Sequence, residues 1–195
     1  MQPIVLADLM NIIEYEKVRK NYRADIVAFK KHRRISLGPN ITVTFENRKT
    51  MMFQIQEMMR AERMVHEHQI EEEIAVYNLL LPMKDCLSAT LFIEVTEETQ
   101  IRSVLNRFIG LTKRESVYFK VGGATIPAKF EAGREEEDKI SSIHYVQFQF
   151  NAEAVTVFQD QDQPVELVID YKDYNYKYPL GDAERQSLLA DLLTN

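Results

Sequence analysis

The apolar positions change spacing near the middle of the chain. From residue 12 onward Tyr15, Val18, Tyr22, Ile26 and Phe29 recur every three or four positions, which predicts one long helix over residues 12–34. Asn11 and Glu14 have the spacing of an N-cap and its third-position partner, and Met10 with Tyr15 fits a hydrophobic staple. After the turn Gly38-Pro39-Asn40, Ile41, Val43 and Phe45 alternate with Thr42 and Thr44, which is the period of a strand. Helical spacing returns over 50–65 and over 69–81, the latter with the stripe Ile70, Ile74, Tyr77, Leu81. Pro82 ends it, because proline disfavours helical geometry in the residue before it.

Beyond Pro82 the period is mostly two. Residues 88–95 read as a buried strand. Thr96 caps a helix whose Ile101, Leu105 and Phe108 face inward and which Gly110 closes. Val117, Phe119 and Val121 alternate up to Gly122-Gly123, a two-residue hairpin turn, and 125–130 runs back. Further strands are expected over 142–150, with 155–157 extending or pairing with it, and over Val165, Leu167 and Ile169. Asp182 caps a short terminal helix. The expected fold is therefore α+β: three N-terminal helices packed on a mainly antiparallel sheet or sandwich of about five or six strands, then a short C-terminal helix. It forms a single domain over 1–195, mostly helical over 1–82 and mostly β over 83–195. Long alternating βα units are missing, so no parallel doubly wound sheet is expected.

Composition narrows the functional classes. Apolar residues make up 45% and charged residues 28% of the 195 positions, ordinary globular values. The single cysteine, Cys86, permits neither an internal disulfide nor a cysteine-built zinc or iron–sulfur site. Residues 1–10 lack the features of a secretory signal, and no apolar run approaches the roughly 18 residues of a membrane span, so a cytoplasmic protein is expected. Lys17, Arg19, Lys20, Arg23, Lys30, Lys31, Arg33 and Arg34 crowd the first helix, yet the net charge is −6. The tyrosines at 171, 174, 176 and 178 alternate with acids as well as lysines. Both facts argue against nucleic acid and for a solvated helix face and a covered sheet edge.

The densest polar block is Phe45-Glu46-Asn47-Arg48 with Gln54, Gln56, Glu57, Arg60, Glu62 and Arg63 on the following helix. Charges interleaved this closely with apolar residues must lie at the edge of a core, where they are costly unless paired. Two readings stay open. One is a salt-bridge network between the strand end and the helix. The other is a small anion- or metal-binding pocket built from Glu46, Asn47, Arg48, Gln54, Glu57, Arg60, Glu62 and Arg63, with Arg48 and Arg60 on the anion and Glu57 as base or ligand. Glu62, His66 and His68 are weak metal candidates, since no Glu-x-x-His pair accompanies them and the histidines fall in a turn. No cofactor motif, nucleophile elbow or phosphate loop occurs, and no catalytic residue is assigned. Met51, Met52, Met58, Met59 and Met64 serve either core packing or an adaptable docking face.

Taken in order, Glu14-Tyr15-Glu16, Lys30-Lys31, Arg33-Arg34, Leu37-Gly38-Pro39, the 45–48 and 54–63 blocks, Tyr77-Asn78, Pro82, residues 87–91, Tyr145 and Phe148 resemble a bacterial family of unknown function, the one numbered thirty-five hundred and one. The resemblance spans nearly the whole chain. Genes of that family commonly stand beside rubrerythrin-like di-iron proteins and heterodisulfide-reductase-like iron–sulfur proteins. The resemblance thus implies a non-catalytic accessory partner of a redox or oxidative-stress module, itself without a cofactor.

Overall fold

The computed structural model describes residues 1–193. Its framework is one antiparallel sheet of eight strands: β1 (Arg34–Leu37), β2 (Ile41–Glu46), β3 (Cys86–Ile93), β4 (Val117–Val121), β5 (Ala124–Phe130), β6 (Ile143–Gln149), β7 (Val165–Tyr171) and β8 (Tyr174–Pro179). They lie in the order β1-β2-β3-β6-β5-β4-β7-β8. β5 turns the corner, pairing with β4 through its first half and with β6 through Ala128, Lys129 and Phe130. The sheet curls until its outer strands meet. The Tyr174 hydroxyl accepts from the amides of Asn40 and Ile41 and donates to the carbonyl of Leu37, and Gly38 lies against the Tyr176 ring. The result is a nearly closed barrel whose end strands β1 and β8 touch without forming a ladder.

Six helices accompany it among the described residues: α1 (Ile12–Lys30), α2 (Arg48–Ala61), α3 (Glu67–Asn78), α4 (Ile101–Arg107), α5 (Ala152–Gln159) and α6 (Asp182–Leu193). This corrects the expectation of three helices on five or six strands followed by one short helix. The α+β class stands, but the sheet is larger and closes on itself. Three local misreadings account for the difference. The first helix was expected to reach Arg34, with residues 35–37 in no element, whereas Arg33 is fully buried and its chain turns directly into β1. The tyrosines from 174 to 178 do not cover a sheet edge; they are the edge strand β8. Residues 155–157 belong to α5, because the Asn151 side chain accepts from the Ala154 amide and starts a helix that overrides the β-branched Val155, Thr156 and Val157.

Two separate apolar clusters result. The larger fills the barrel with inward residues such as Val43, Phe45, Leu91, Phe119, Val146, Phe148 and Leu167. Val104 of α4 and Phe108 at its C-cap, Phe158 of α5 and Leu188 and Leu192 of α6 join it. The smaller unites Ile4, Met51, Ile55 and Met59 with Ile70, Ile74 and Leu81 in a layer built from the N-terminal segment, α2 and α3. Strand alternation puts Thr42, Thr44, Glu46, Ser88 and Thr90 on the face of β2 and β3 opposite the barrel interior, and all five are buried. A buried face lined with hydroxyls and one carboxylate is unusual for a sheet, and it forms one side of the site below. No described helix is long and apolar enough to cross a membrane.

Candidate functional site

The structure disperses the polar block into separate pairs, and most of the partners come from the first 20 residues. Glu57 receives both Nε and a terminal nitrogen of Arg19, at 2.8 and 2.7 Å, and the Tyr15 hydroxyl at 2.6 Å. Those bonds hold the Glu57 carboxyl below its usual range, chiefly through Arg19, while burial and then Glu57 push the Tyr15 phenol well up. Arg48 binds Asp8 at 2.5 Å and the Met52 sulfur at 3.3 Å, leaving its Nε without a partner. Arg60 pairs with Glu16. Asn47 caps α2 through Thr50 and donates to Asp191, which in turn holds Arg33. Gln54 is half-buried on α2. Glu62 and Arg63 are exposed at the helix end, where Arg63 adopts a φ of 55°. His66 stands at the N-cap of α3 and His68 in its first turn, not in a loop as expected; the exposed rings stack at 5.8 Å, and no three His, Cys, Asp or Glu side chains among the described residues are grouped to hold a metal ion.

Glu46 is the exception. Its side chain is only 3% exposed, yet its bonds are long: Lys30 Nζ at 3.4 Å and the Thr90 hydroxyl at 3.3 Å, both on Oε1. Charge-assisted bonds normally measure about 2.7–2.9 Å. Lys30 also lies 3.3 Å from Oε2, but at an angle that makes no hydrogen bond, so Oε2 is unsatisfied. Next to it Ser88 Oγ, equally buried, also lacks a partner. Leaving such groups unpaired costs about 1–3 kcal/mol each, and more for a charge.

Both residues border a cavity of about 310 Å³ between the helical layer and the barrel wall. Met51 of α2 and Leu79 and Leu80 beyond α3 form its apolar side; Ser88, Tyr145, Gln147 and Lys129 of β3, β6 and β5 form the other. Sequence reasoning named Glu46 together with the helix residues of its own block, whereas its polar neighbours at the cavity come from other strands. Ser88, Lys129, Tyr145 and Gln147 were missed, because only strand register brings them beside it. Their one sequence trace is polar residues alternating with apolar ones in strands read as buried.

Neither Cys86 nor His144 lines this cavity. Cys86 is buried, which pushes its thiol up, and His144 is buried with its ring Nε2 2.8 Å from the Ser141 carbonyl and its basicity lowered by burial.

Residues 3–192 match the family described as "Protein of unknown function (DUF3501)". The chain belongs to the DUF3501 family. It is also similar to a crystal structure of a novel protein of unknown function from Burkholderia pseudomallei K96243, with 28% identity and a TM-score of 0.89 over 98% of this chain and all of that one. No curated protein matches the sequence. Membership of DUF3501 brings no reaction with it, so function has to be argued from the cavity.

Proposed function

We infer that this DUF3501 protein binds a small molecule in the space between its helical layer and its barrel wall. The observation that carries the reading is the pair Glu46 and Ser88: both are buried, both border the cavity, and both hold an oxygen without a hydrogen-bond partner in the protein, although Lys30 stands 3.3 Å from that of Glu46. Elsewhere carboxylates are closely matched, as Glu57 is by Arg19 and Tyr15. A cavity with mixed walls and a few unsatisfied polar groups is the usual form of a small-ligand site, and 310 Å³ falls at the small end of that range. Native mass spectrometry of gently purified protein tests this. The expected result is a bound mass released on denaturation and lost in Leu80→Trp, which fills the cavity. A clean unliganded mass, with Leu80→Trp more stable than the parent, is the result that counts against it.

A second reading, an accessory protein of a redox module, draws support from Val76, Leu79 and Met83, which are 56%, 79% and 59% exposed beside the cavity. Exposed apolar side chains grouped in this way suit a protein partner. Pull-down with rubrerythrin-like and iron–sulfur proteins, comparing the parent with Leu79→Glu, is the test; equal recovery of both forms would remove it.

A further inference from the structure

We propose that the chain associates with itself head to tail, the outer face of α1 in one copy lying along the outer face of α3 in the next. The proposal goes beyond the ligand reading and does not depend on it. The two faces stand on opposite flanks of the helical layer. α2 meets α1 through Phe53, Glu57 and Arg60. It meets Ile70 and Ile74 of α3 through Met51, Ile55 and Met59, which lie on its other side.

The flanking helices also run in one direction. Tyr15 and Glu16 at the start of α1 bind Glu57 and Arg60 near the end of α2, and Phe29 near the end of α1 lies under Lys49 at the start of α2. The amino-terminal segment links the same end of α2 to the end of α3: the Arg48 amide donates to Met1 Sδ, and the Ile4 amide to Asn78. α2 is therefore antiparallel to both neighbours, and α1 and α3 are parallel to each other.

On α1 the buried Tyr15 and Ile26 point into the layer, so Ile13, Lys17, Lys20, Ala24, Val27 and Lys31 lie on the opposite side, all of them exposed. The three lysines make no ion pair among the described residues, whereas Arg19 and Lys30 on the inner side are matched by Glu57 and Glu46. Glu16 is taken up by Arg60. Glu14 and Asp25 stand about a quarter turn to one side of the stripe and Arg23 to the other.

α3 carries the reverse sign. Opposite its buried Ile70 and Ile74 lie His68, Glu71, Glu72, Ala75, Val76 and Leu79, all exposed, and neither acid has an ion-pair partner among the described residues. The cations nearest in sequence, Arg63 and Lys84, lie beyond the two ends of the helix. Both faces change from charged to apolar in the same direction along the chain. Lys20 to Val27 and Glu72 to Leu79 are each steps of seven residues, two turns of helix. Laid parallel, the faces set Lys20 on Glu72 and Val27 on Leu79, with Ala24 beside Val76. Exposed ion pairs add little affinity and act chiefly on direction and choice of partner, while the apolar half supplies the burial. Each face complements the other in sign and spacing, and one chain carries both; that commits the occupant to a second copy. Because the two faces differ, the contact is heterologous and each bound copy still offers a free face.

Sedimentation of the whole chain over a range of concentration and salt tests this. The average mass is expected to rise above that of the 22.8 kDa monomer as concentration increases, and association to weaken several-fold between about 0.05 and 1 M salt as the charges are screened. Lys17→Glu with Lys20→Glu blocks the α1 face; Ala75→Glu with Val76→Glu blocks the α3 face. All four positions are exposed and none lines the cavity. Each double variant alone should stay monomeric. Their equimolar mixture should form a one-to-one pair and nothing larger, since one sound face of each kind remains. A parent chain that is monomeric at every concentration overturns the proposal and leaves the α3 face to a foreign partner. Association retained by either blocked variant, or a mixture that does not pair, overturns it as well.

Discussion

The hydroxyl of Tyr174 lies 2.6 Å from the carbonyl of Leu37, although the two residues are 137 positions apart. The same oxygen accepts from the amides of Asn40 at 2.9 Å and Ile41 at 3.1 Å, so one phenol completes the turn between β1 and β2 from the far end of the sheet. The barrel is closed by a side chain where strand pairing stops.

Tyr174→Phe keeps the ring against Phe108 but leaves the buried Leu37 carbonyl and the two turn amides without their partner. The expected loss is about 1–3 kcal/mol. Denaturant unfolding measures it, and faster amide exchange at residues 37–41 than in β6 would localise it to the seam.

Gly38 sits at a φ of 78°, and a methyl group there would lie 2.6 Å from the Tyr176 ring and 2.7 Å from the Tyr174 hydroxyl. Gly38→Ala is therefore strained in backbone and in space, and at least about 1 kcal/mol should be lost. In Gly38→Ala combined with Tyr176→Ala the clash with the ring is relieved, while the backbone strain and the clash with the Tyr174 hydroxyl remain, a difference that thermal unfolding can resolve.

Arg33 is fully buried, bonded to Asp191, the Phe45 carbonyl and Ser187. Arg33→Met leaves the Asp191 carboxylate in the interior with Asn47 as a neutral donor. Breaking a buried pair from one side typically costs about 3–5 kcal/mol. For a domain of this size that corresponds to a fall in Tm of very roughly 2–4 °C per kcal/mol.

Two residues set two pH windows. Burial lowers the basicity of His144, so the unfolded chain takes up a proton that the folded chain resists. The stability it confers is complete above the ordinary histidine value near 6.5 and declines as pH falls below it. Glu57, depressed chiefly by Arg19, confers stability present above the ordinary glutamate value and lost as pH falls beneath that. His144→Phe should flatten the first decline and leave the second; Glu57→Gln should leave the first and make the second shallower, since Asp8 and Glu135 are also held below their usual range and share that window. Unfolding free energies measured from pH 8 to pH 3 distinguish the two.

What the sequence disclosed depended on how local each signal was. The Asn11 cap, the Gly122 turn and the alternation of Ile41, Val43 and Phe45 are all written within a few neighbours, and all three appear in the fold. β1 was hidden because four residues, Arg34-Ile35-Ser36-Leu37, are too short to establish a period after a basic helix. Closure of the barrel depends on Tyr174 meeting Leu37, which no local pattern encodes. Likewise Arg60 stands at helical pairing distance from Glu57 and from Gln56, yet Glu57 and Arg60 each chose a partner on α1. Pairing across two packed helices depends on their crossing, and that is a tertiary property. The row Glu46, Ser88, Gln147 and Lys129 along the cavity is the extreme case: its members are 42, 59 and 18 positions apart in sequence and are aligned only by the registers of three strand pairs.

The chain has two greasy kernels, one within the barrel and one around Met51, Ile55 and Ile74, and they do not merge. Melting is then not obliged to be a single event. The outer kernel rests on a hydrophilic wall and can lift away as a cooperative unit while the inner one stays intact. A guest entering past the exposed Leu79 and Lys129 would find its way widened by such breathing.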